Sequence, residues 1–496
     1  MRYAHIPSLT TVSPPTYGSL AHLSRFHFAG ELMVHTASSS NGIILDVKKF
    51  IDDRPMVAAQ WMILILCFFV LIADGFDTAA MAFVAPALSH ELSISKIALG
   101  PVLSAALFGL TFGAFIAGPI ADKIGRKRVI IASVLLFSVA SLASAYATTA
   151  PILAALRFVT GLGIGAAMPN CTTLVSEFVP SRARSFLVNL MFCGFPLGAS
   201  AGGFMAAWLI PHFGWRSVFL VGGGVPVLLA ALLMLLPESI GFMVVRHWPI
   251  EKIKSALMNI SGEDATAHAL IASAESFKIQ EIASKKSGSP IGILLSPQFR
   301  LSTVMLWVAY FMGLVLYYLL ISWMPTLMRD SGATISEAAR TTALFPLGGG
   351  VGAMFCGWLM DRGNATRVVA FAYFVTAVLL VVLSRSTGTV GLLMIVTFLA
   401  GTAMNGAQTS MPVLAAWTYP TKSRASGVSW MLGIGRFGGI TGALAGGFLL
   451  QAGFKMAAIV QGLSVAALLA AAALFVKAYA SPAETMEELS AGAAIH

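Results

Sequence analysis

The chain of 496 residues is strongly apolar and basic, and both properties limit its class. Hydrophobic residues make up 57% of it, charged residues only 10%, and the mean hydropathy of +0.84 excludes an ordinary soluble globular protein. A net charge of +10 would also suit a nucleic-acid-binding protein, but the basic residues lie in short connections between apolar runs. The composition therefore predicts a protein that crosses the lipid bilayer many times and binds no nucleic acid.

Residues 1–55 are polar and hold no long apolar run, so we expect a cytoplasmic N-terminal segment that is disordered at its start. No secretory signal peptide is predicted, because no basic start is followed by an apolar core and a small-residue cleavage site. The part before Met33 is expected to be dispensable, and the charged stretch 46–54 leads into the membrane.

The first apolar run, residues 61–88, contains two carboxylates, Asp74 and Asp77. As a helix it would be about 40 Å long, enough to cross the ~30 Å hydrocarbon core of a bilayer. A charge near the middle of such a span costs about 2.5–3.5 kcal/mol on insertion scales, so we expect both carboxylates to face a polar cavity, one helical turn apart. The alternative is that the helix begins at Gly75 and the carboxylates are its polar cap.

Eleven further apolar runs follow, each close to the ~20 residues that a spanning helix needs. We predict an all-α membrane protein with 12 transmembrane helices in two six-helix repeats. Its parts would be an N-terminal bundle (56–236), a cytoplasmic central loop (237–300), a C-terminal bundle (301–480) and a cytoplasmic tail (481–496). The predicted spans cover about residues 61–88, 98–120, 129–148, 151–176, 186–210, 217–236, 302–328, 341–360, 366–385, 389–417, 424–450 and 456–478.

The two halves repeat one another at three places. A Gly-x-x-x-Asp pattern after the second span recurs after the eighth, and a Pro-x-x-x-Arg pattern after the fourth recurs after the tenth. A ridge of glycines every fourth residue recurs in spans five (194–203) and eleven (438–447). Such ridges let helices approach closely, with gating by sliding as a second possible role. Parallel repeats are typical of transporters that rock around a site at the membrane midplane.

Lys and Arg residues are concentrated in the connections on the side of the two termini. The positive-inside rule therefore places both termini in the cytoplasm and the protein in the inner (plasma) membrane.

Two motifs resemble those of the major facilitator superfamily: GPIADKIGRKR at 118–128, its signature loop between spans two and three, and RFVTGLG at 157–163 in span four. The DGFDTA sequence at 74–79, the FIDDRP lead-in at 50–55 and Arg436 in span eleven are similar to aromatic acid:proton symporters. The resemblance covers about residues 46–480. It implies a symporter that takes up an aromatic carboxylate such as 4-hydroxybenzoate, benzoate or a related hydroxybenzoate with protons, by alternating access.

Asp74, Asp77 and Arg157 are the predicted proton-coupling residues. Asp77 and Arg157 each lie about 10 Å below the outer surface and could pair. A proton on the acid would then release the guanidinium and couple proton binding to a conformational change. The alternatives are that Arg157 only ties helices together through backbone carbonyls and that the acids are structural.

Arg436, near the middle of its span, is the predicted ligand of the substrate carboxylate, because a guanidinium donates two parallel hydrogen bonds to such a group. The alternative is a permanent pair with a carboxylate of its own half. Aromatic residues near span ends could instead be interface anchors. The other predicted substrate-binding residues are Asn170, Asn405, Gln408, Trp430 and Tyr317.

A cytoplasmic gate is predicted at the repeated loop motifs, with Asp122 as a latch that stabilises the outward-open state. The alternative is that the basic residues only fix topology. In the second copy, Asn364 and Ala365 stand where the first has Arg126 and Lys127. The predicted gate residues are Gly118, Asp122, Gly125, Arg126, Lys127, Glu177, Arg184, Asp361, Arg362 and Arg424.

No enzyme, cofactor or metal site is predicted. The sequence has no phosphate-binding G-x-x-x-x-G-K-[ST] loop and no metal-ligand spacing among its histidines, and the four cysteines lie singly within apolar spans. We expect a monomer whose partners are the aromatic acid, the proton and the bilayer. The rival hypotheses are a transporter of another small solute, such as a sugar, an aliphatic acid or a drug, and a non-transporting aromatic-acid sensor.

Overall fold

The computed structural model describes residues 43–91, 94–262, 264–278, 290–386, 390–419 and 421–480. Expectations about residues 1–42 and 481–496 lie outside them. The elements are β1 (Ile43–Asp46), α1 (Val47–Asp52), α2 (Ala58–Glu91), α3 (Lys96–Ile124), α4 (Arg126–Ser144), α5 (Ala150–Phe178), α6 (Arg184–Phe192), α7 (Gly194–Phe213), α8 (Arg216–Leu233), α9 (Ile240–Val245), α10 (Ile250–Ser261), α11 (Ala265–Ser273), β2 (Ala274–Lys278), α12 (Pro290–Leu294), α13 (Arg300–Asp330), α14 (Ile335–Met360), α15 (Ala365–Arg385), α16 (Val390–Thr418), α17 (Thr421–Gln451) and α18 (Met456–Ala480).

Twelve helical spans in the described residues are long and apolar enough to cross a membrane. They are α2 to α5, α6 with α7, and α8 in the first half, and α13 to α18 in the second half. The fifth span is interrupted at Cys193, between α6 and α7, where we had predicted one continuous helix. The prediction of an all-α membrane protein with 12 transmembrane helices is confirmed.

Polar side chains fix where several spans begin. Ser95 accepts a hydrogen bond at the start of α3, and Thr334 and Glu337 form a reciprocal capping box at the start of α14. Asn364 caps α15 by accepting from the amide of Arg367 at 3.1 Å. The departure of the second loop motif from the first therefore supplies a helix cap.

The first span is a single helix, α2, that runs unbroken through both carboxylates. Asp74 and Asp77 lie in its middle and are buried, 3% and 1% exposed. The alternative of a helix beginning at Gly75 is therefore wrong.

Glycines bring particular pairs of spans into backbone contact. In the first half, α7 packs on α2, where a Cβ at Gly198 would overlap the carbonyl oxygen of Ile72. In the second half, α17 packs on α13 in the same way, through Gly442 and Val315. The predicted glycine ridges are thus close-packing surfaces.

A second set of glycine contacts joins α3 to α5, outside the ridges noted in the sequence. A Cβ at Gly165 would overlap the carbonyl oxygen of Leu110, and one at Gly161 would overlap that of Ala106. The same arrangement joins α14 to α16, where Gly352 lies against Thr402. Each half therefore contains two pairs of interlocked helices, in equivalent positions.

Among the described residues, the large hydrophobic core that the two halves share lies toward one membrane face. We call the face where α2 begins and α18 ends the terminal face, and the other the distal face. The distal parts of α2, α3, α7, α13 and α14 form one buried cluster. Near the terminal face, the described buried residues form two large clusters, one made of the first half and one of the second. In the described residues, apolar contact between the halves is therefore concentrated toward the distal face.

Two polar contacts strengthen the distal seal between the halves. Lys96 of α3 forms an ion pair with Asp330 of α13. The Ser336 hydroxyl of α14 donates to the Ala207 carbonyl oxygen of α7 at 2.7 Å.

A small layer at the terminal face joins the N-terminal lead-in to the central loop. Strand β1 pairs in parallel with β2, and apolar side chains of α1, α10 and α11 pack together beside them. Asp52 accepts hydrogen bonds from the Ser181 amide at 2.6 Å and hydroxyl at 2.8 Å, in the connection between α5 and α6. This layer is therefore attached to the first half.

Candidate functional site

The most buried ion pair of the described residues joins α2 to α5. Arg157 donates from one guanidinium nitrogen to both oxygens of Asp77, at 3.1 and 3.0 Å. Each side chain is only 1% exposed. A pair without solvent requires further hydrogen bonds to offset the desolvation of both charges.

Neighbouring hydroxyls supply those hydrogen bonds. Ser141 donates to Asp77 at 2.7 Å, and the second terminal nitrogen of Arg157 bonds the hydroxyls of Ser144 and Thr160, each at 2.9 Å. The Phe219 ring lies 4.8 Å from the guanidinium carbon. In the described residues, the hydrogen bonds of Arg157 go to side chains, so the alternative of a tie through backbone carbonyls is not what this arrangement shows.

Sequence reasoning missed these hydroxyls. Ser141 and Ser144 lie one helical turn apart on α4, and Thr160 lies one turn after Arg157 on α5. Their spacing on apolar spans was the available signal.

Asp74 lies one helical turn from Asp77 but has a different environment. Its carboxylate accepts a hydrogen bond from Thr78 at 3.2 Å, on the same helix. Among the described residues no cation comes within ion-pair distance of it, although Arg436 of the second half interacts with it electrostatically. Asp74 is therefore a buried acid without a bound cation in this conformation.

Arg436, on α17, is half-buried and carries an unpaired charge. No carboxylate of the described residues lies within 4.0 Å of its guanidinium, so the alternative of a pair within its own half does not apply to this conformation. The rings of Tyr310 and Tyr318, both on α13, pack against the glycines on either side of it, and both interact with it electrostatically. The arrangement leaves a cation beside aromatic rings.

An opening between the halves lies next to these residues. Thr78, Leu107 and Gly161 of the first half and Tyr318 and Ser322 of the second line it. Its lining is apolar with a few hydroxyls, as suits a small organic solute.

Three other predicted binding residues already use their polar groups or rings in contacts within the protein. The side-chain amide nitrogens of Asn170 and Asn405 donate to backbone carbonyls, that of Asn170 to Ala166 at 2.8 Å. Tyr317 is buried against Tyr318, with ring centroids 5.2 Å apart. These residues lie in the core with their polar groups or rings already in contact.

Trp430 and Gln408 have opposite environments. Trp430 is exposed and packs beside Trp307, with ring centroids 6.1 Å apart. Gln408 is buried on α16, where its side-chain oxygen accepts from the Tyr373 hydroxyl at 2.5 Å. Its amide nitrogen has no hydrogen-bond partner in the described part of the chain.

The first loop motif packs against the end of its own half. Asp122 pairs with Arg126 at 2.7 Å, and Lys127 donates from its backbone amide to Glu238 at 3.1 Å. Gly125 has a positive φ of 103°, and a Cβ there would meet the Glu238 carboxylate. The motif therefore holds the α3–α4 turn against the end of α8.

The remaining gate residues also stay within their own halves. Glu177 accepts from the Ser239 hydroxyl, Arg184 donates to the Ser181 hydroxyl at 3.2 Å, and Arg362 stacks on Trp358. Asp361 is exposed, a Cβ at Gly118 would touch nothing, and the side chain of Arg424 lies outside the described residues. No described contact of these residues crosses between the halves.

Among the described residues no three His, Cys, Asp or Glu side chains come together to hold a metal ion.

The sequence is similar to a known family of proteins and to several of its members. The Major Facilitator Superfamily model matches residues 66–327 and 306–493. The chain is 47% identical to the 4-hydroxybenzoate transporter PcaK of Pseudomonas putida, over 91% of this chain and 100% of that protein. It is 46% identical to a gallate transporter of Pseudomonas putida, over 88% of this chain and 96% of that one. It is 33% identical to the benzoate transport protein of Acinetobacter baylyi, over 82% of this chain and 87% of that one.

Among solved structures, the inward open conformation of the xylose transporter XylE from E. coli is similar in fold. The TM-score is 0.67 at 16% identity, over 87% of this chain and 99% of that one. At this identity the likeness concerns the fold alone.

Proposed function

This chain belongs to the major facilitator superfamily, and on that premise we propose that it is a proton-coupled symporter that takes up an aromatic carboxylate by alternating access. The family and the named relatives are transporters, not enzymes. The proposed substrate is 4-hydroxybenzoate, benzoate or a related hydroxybenzoate, since relatives carry those names. The protein would act as a monomer in the bacterial inner membrane, with both termini in the cytoplasm.

The observation that carries the proposal is the unpaired guanidinium of Arg436. A half-buried cation without a carboxylate partner is costly unless a ligand supplies the anion. An aromatic carboxylate offers two oxygens to the guanidinium fork and a ring to the neighbouring tyrosines, Tyr310 and Tyr318. Sugars and organic cations lack the anion, so the site favours an acid. Gln408 and Tyr317 would complete the site, with Asn170, Asn405 and Trp430 as further candidates.

Proton coupling would occur at Asp77 and Arg157. Protonation of Asp77 removes its charge, and Arg157 then retains only hydroxyl and ring contacts. Breaking a buried pair costs about 3–5 kcal/mol, which is enough to shift the balance between two conformations. Asp74, without a bound cation, is the second proton carrier.

A coupled proton also removes an electrical penalty. An anion that enters a cell against an inside-negative potential is opposed by about 2.3 kcal/mol per charge per 100 mV. One proton per carboxylate cancels this opposition, and a second would make the potential favourable. The two acids on α2 provide for either stoichiometry.

In the alternating-access cycle, this conformation would be the inward-open one, with the terminal face toward the cytoplasm. Lys96 with Asp330 and Ser336 with Ala207 would hold the distal seal, and no described contact of the gate residues crosses between the halves. In the outward-open state the seal would open, and Asp122 with its loop would close against the second half.

The experiment is uptake of labelled 4-hydroxybenzoate into proteoliposomes with an acidic exterior. We expect accumulation by the wild type and its loss in Asp77→Asn and Arg436→Ala, with Arg340→Ala, an exposed arginine of α14, as the control. Uptake that persists when the proton gradient is collapsed would contradict coupling. Accumulation of a sugar or another solute instead would replace the substrate, and saturable binding without flux would indicate a sensor.

A further inference from the structure

A buried hydrogen-bonding group is left over beside the proposed carboxylate site. Gln408 is 8% exposed, and its side-chain oxygen is bound by the Tyr373 hydroxyl. Its amide nitrogen is buried and has no partner among the described residues. A buried polar group without a partner is destabilising, so it is usually completed by a ligand or by water.

The surroundings keep the Gln408 amide in place. Tyr373 reaches it from α15, and Gly313 of α13 lies directly against it, because a Cβ at Gly313 would overlap the amide oxygen. The contact therefore depends on a glycine at this position of α13. The side chain is held from two neighbouring helices, which limits its ability to turn toward another partner.

Tyr310 connects Gln408 to Arg436. Its hydroxyl faces the Gln408 side chain and interacts with it, without a hydrogen bond of good geometry to the amide nitrogen. Its ring packs against Gly435, and it interacts electrostatically with Arg436. The unpartnered amide and the unpaired guanidinium thus belong to one group of side chains, on α13, α16 and α17. A solute whose carboxylate binds Arg436 would have its ring beside Tyr310.

The oxygen and the nitrogen of the Gln408 amide are nearly equal in size, so the amide fits in either orientation. A ligand group beside it must therefore suit both orientations. If its oxygen accepts from Tyr373, its nitrogen needs an acceptor, and if the amide is turned over, its oxygen needs a donor. A hydroxyl both donates and accepts, so it satisfies either orientation. A ring C–H satisfies neither.

The side-chain amides of Asn170 and Asn405 provide a contrast on the same kinds of helix. Each donates to a carbonyl oxygen one turn earlier, to Ala166 at 2.8 Å and to Gly401 at 3.1 Å. Among the described residues, Gln408 has no such bond for its nitrogen.

We propose that Gln408, positioned by Tyr373, hydrogen-bonds a ring hydroxyl of the substrate and so selects hydroxylated aromatic acids over unsubstituted ones. This inference rests on the proposed function, since it assumes that Arg436 binds the carboxylate. Arg436 provides affinity for any aromatic acid, and Gln408 distinguishes among them.

The test is competition of 4-hydroxybenzoate and benzoate for binding to the purified full-length protein, with labelled 4-hydroxybenzoate as the probe. The measured quantity is the ratio of the two dissociation constants. We expect the wild type to favour 4-hydroxybenzoate about tenfold or more, as loss of one buried hydrogen bond implies. In Gln408→Met, which keeps the length of the side chain without its polar atoms, the ratio should approach one.

Two further variants make the result specific. Tyr373→Phe frees the amide from its anchor and should reduce the ratio by part of that amount, while both acids still bind. Ser410→Ala, a buried hydroxyl on α16 that donates to its own helix at 2.7 Å, should leave the ratio unchanged. If Gln408→Met fails to fold, the Tyr373→Phe ratio decides.

The outcomes separate the two proposals. An unchanged ratio in Gln408→Met overturns this inference alone. A wild type that binds both acids equally also overturns it, with the transport proposal intact. Binding of neither acid by the wild type rejects the proposed function itself.

Discussion

The buried pair of Asp77 and Arg157 can be tested by a double-mutant cycle. Asp77→Asn leaves the Arg157 charge 1% exposed, with two hydroxyls and one ring as its remaining neighbours. Arg157→Met leaves Asp77 with the single hydrogen bond from Ser141. Removal of one partner of a buried pair costs about 3–5 kcal/mol, so each single variant should be strongly destabilised.

The double variant Asp77→Asn/Arg157→Met contains no buried charge and should recover most of that loss. The coupling free energy between the two positions should therefore be about 3 kcal/mol or more. The assay is equilibrium unfolding of the purified protein in detergent, followed by helical circular dichroism. A matched control is Ser138→Ala, which removes a buried hydroxyl that bonds only to its own helix.

The two single variants should also differ with pH. A carboxylate can be neutralised by a proton, whereas a guanidinium cannot lose its charge in this range. Mild acid should therefore stabilise Arg157→Met relative to the wild type and leave the deficit of Asp77→Asn unchanged. Additive destabilisation in the double variant would refute the reasoning, because it would mean that the pair contributes no mutual interaction. Stability recovered together with proton-driven uptake would refute the coupling role.

Three further predictions concern the seal, the packing and the layer at the terminal face. Lys96→Ala removes an exposed ion pair with Asp330 that contributes up to ~1 kcal/mol. It should increase, by several-fold at most, the labelling of a cysteine introduced between the halves at the distal face, and unchanged labelling would contradict a sealing role. Gly165→Ala should lower the free energy of unfolding by about 1–3 kcal/mol, because its Cβ would overlap a carbonyl of α3. The control is Gly224→Ala, whose Cβ meets no described atom within 4 Å, and equal melting temperatures of the two variants would contradict interlocking. Asp52→Ala removes two hydrogen bonds and should speed proteolysis before α2, unless the layer is held by packing alone.

Much of the transmembrane architecture follows from residue patterns. The apolar length of the first span was enough to place Asp74 and Asp77 inside a helix, and the equal depth of Asp77 and Arg157 was enough to expect their pairing. Both arguments depend on distances along one helix axis, which sequence spacing gives directly. The proton-coupling role of these residues stays a prediction.

The contacts that the sequence did not reveal depend on several helices at once. The free amide of Gln408 results from a tyrosine on α15 and a glycine on α13, and no spacing rule links those positions. The pairing of β1 with β2 joins strands of 4 and 5 residues that are far apart in the chain, too short to show an alternating pattern. The break at Cys193, by contrast, has a local signal, because Gly194 and Pro196 follow it and Pro196 has no amide to continue the helix of α6.

The glycine contacts change what the buried ion pair connects. Asp77 belongs to α2, which is locked to α7, and Arg157 belongs to α5, which is locked to α3. In turn, α7 touches α14 of the second half and α3 touches α17. The ion pair thus connects two close-packed helix pairs, α2 with α7 and α3 with α5. Each helix pair contacts a different helix of the opposite half. A single proton at Asp77 would weaken the connection between the two helix pairs without deforming either pair. The contacts of α7 with α14 and of α3 with α17 would then shift together.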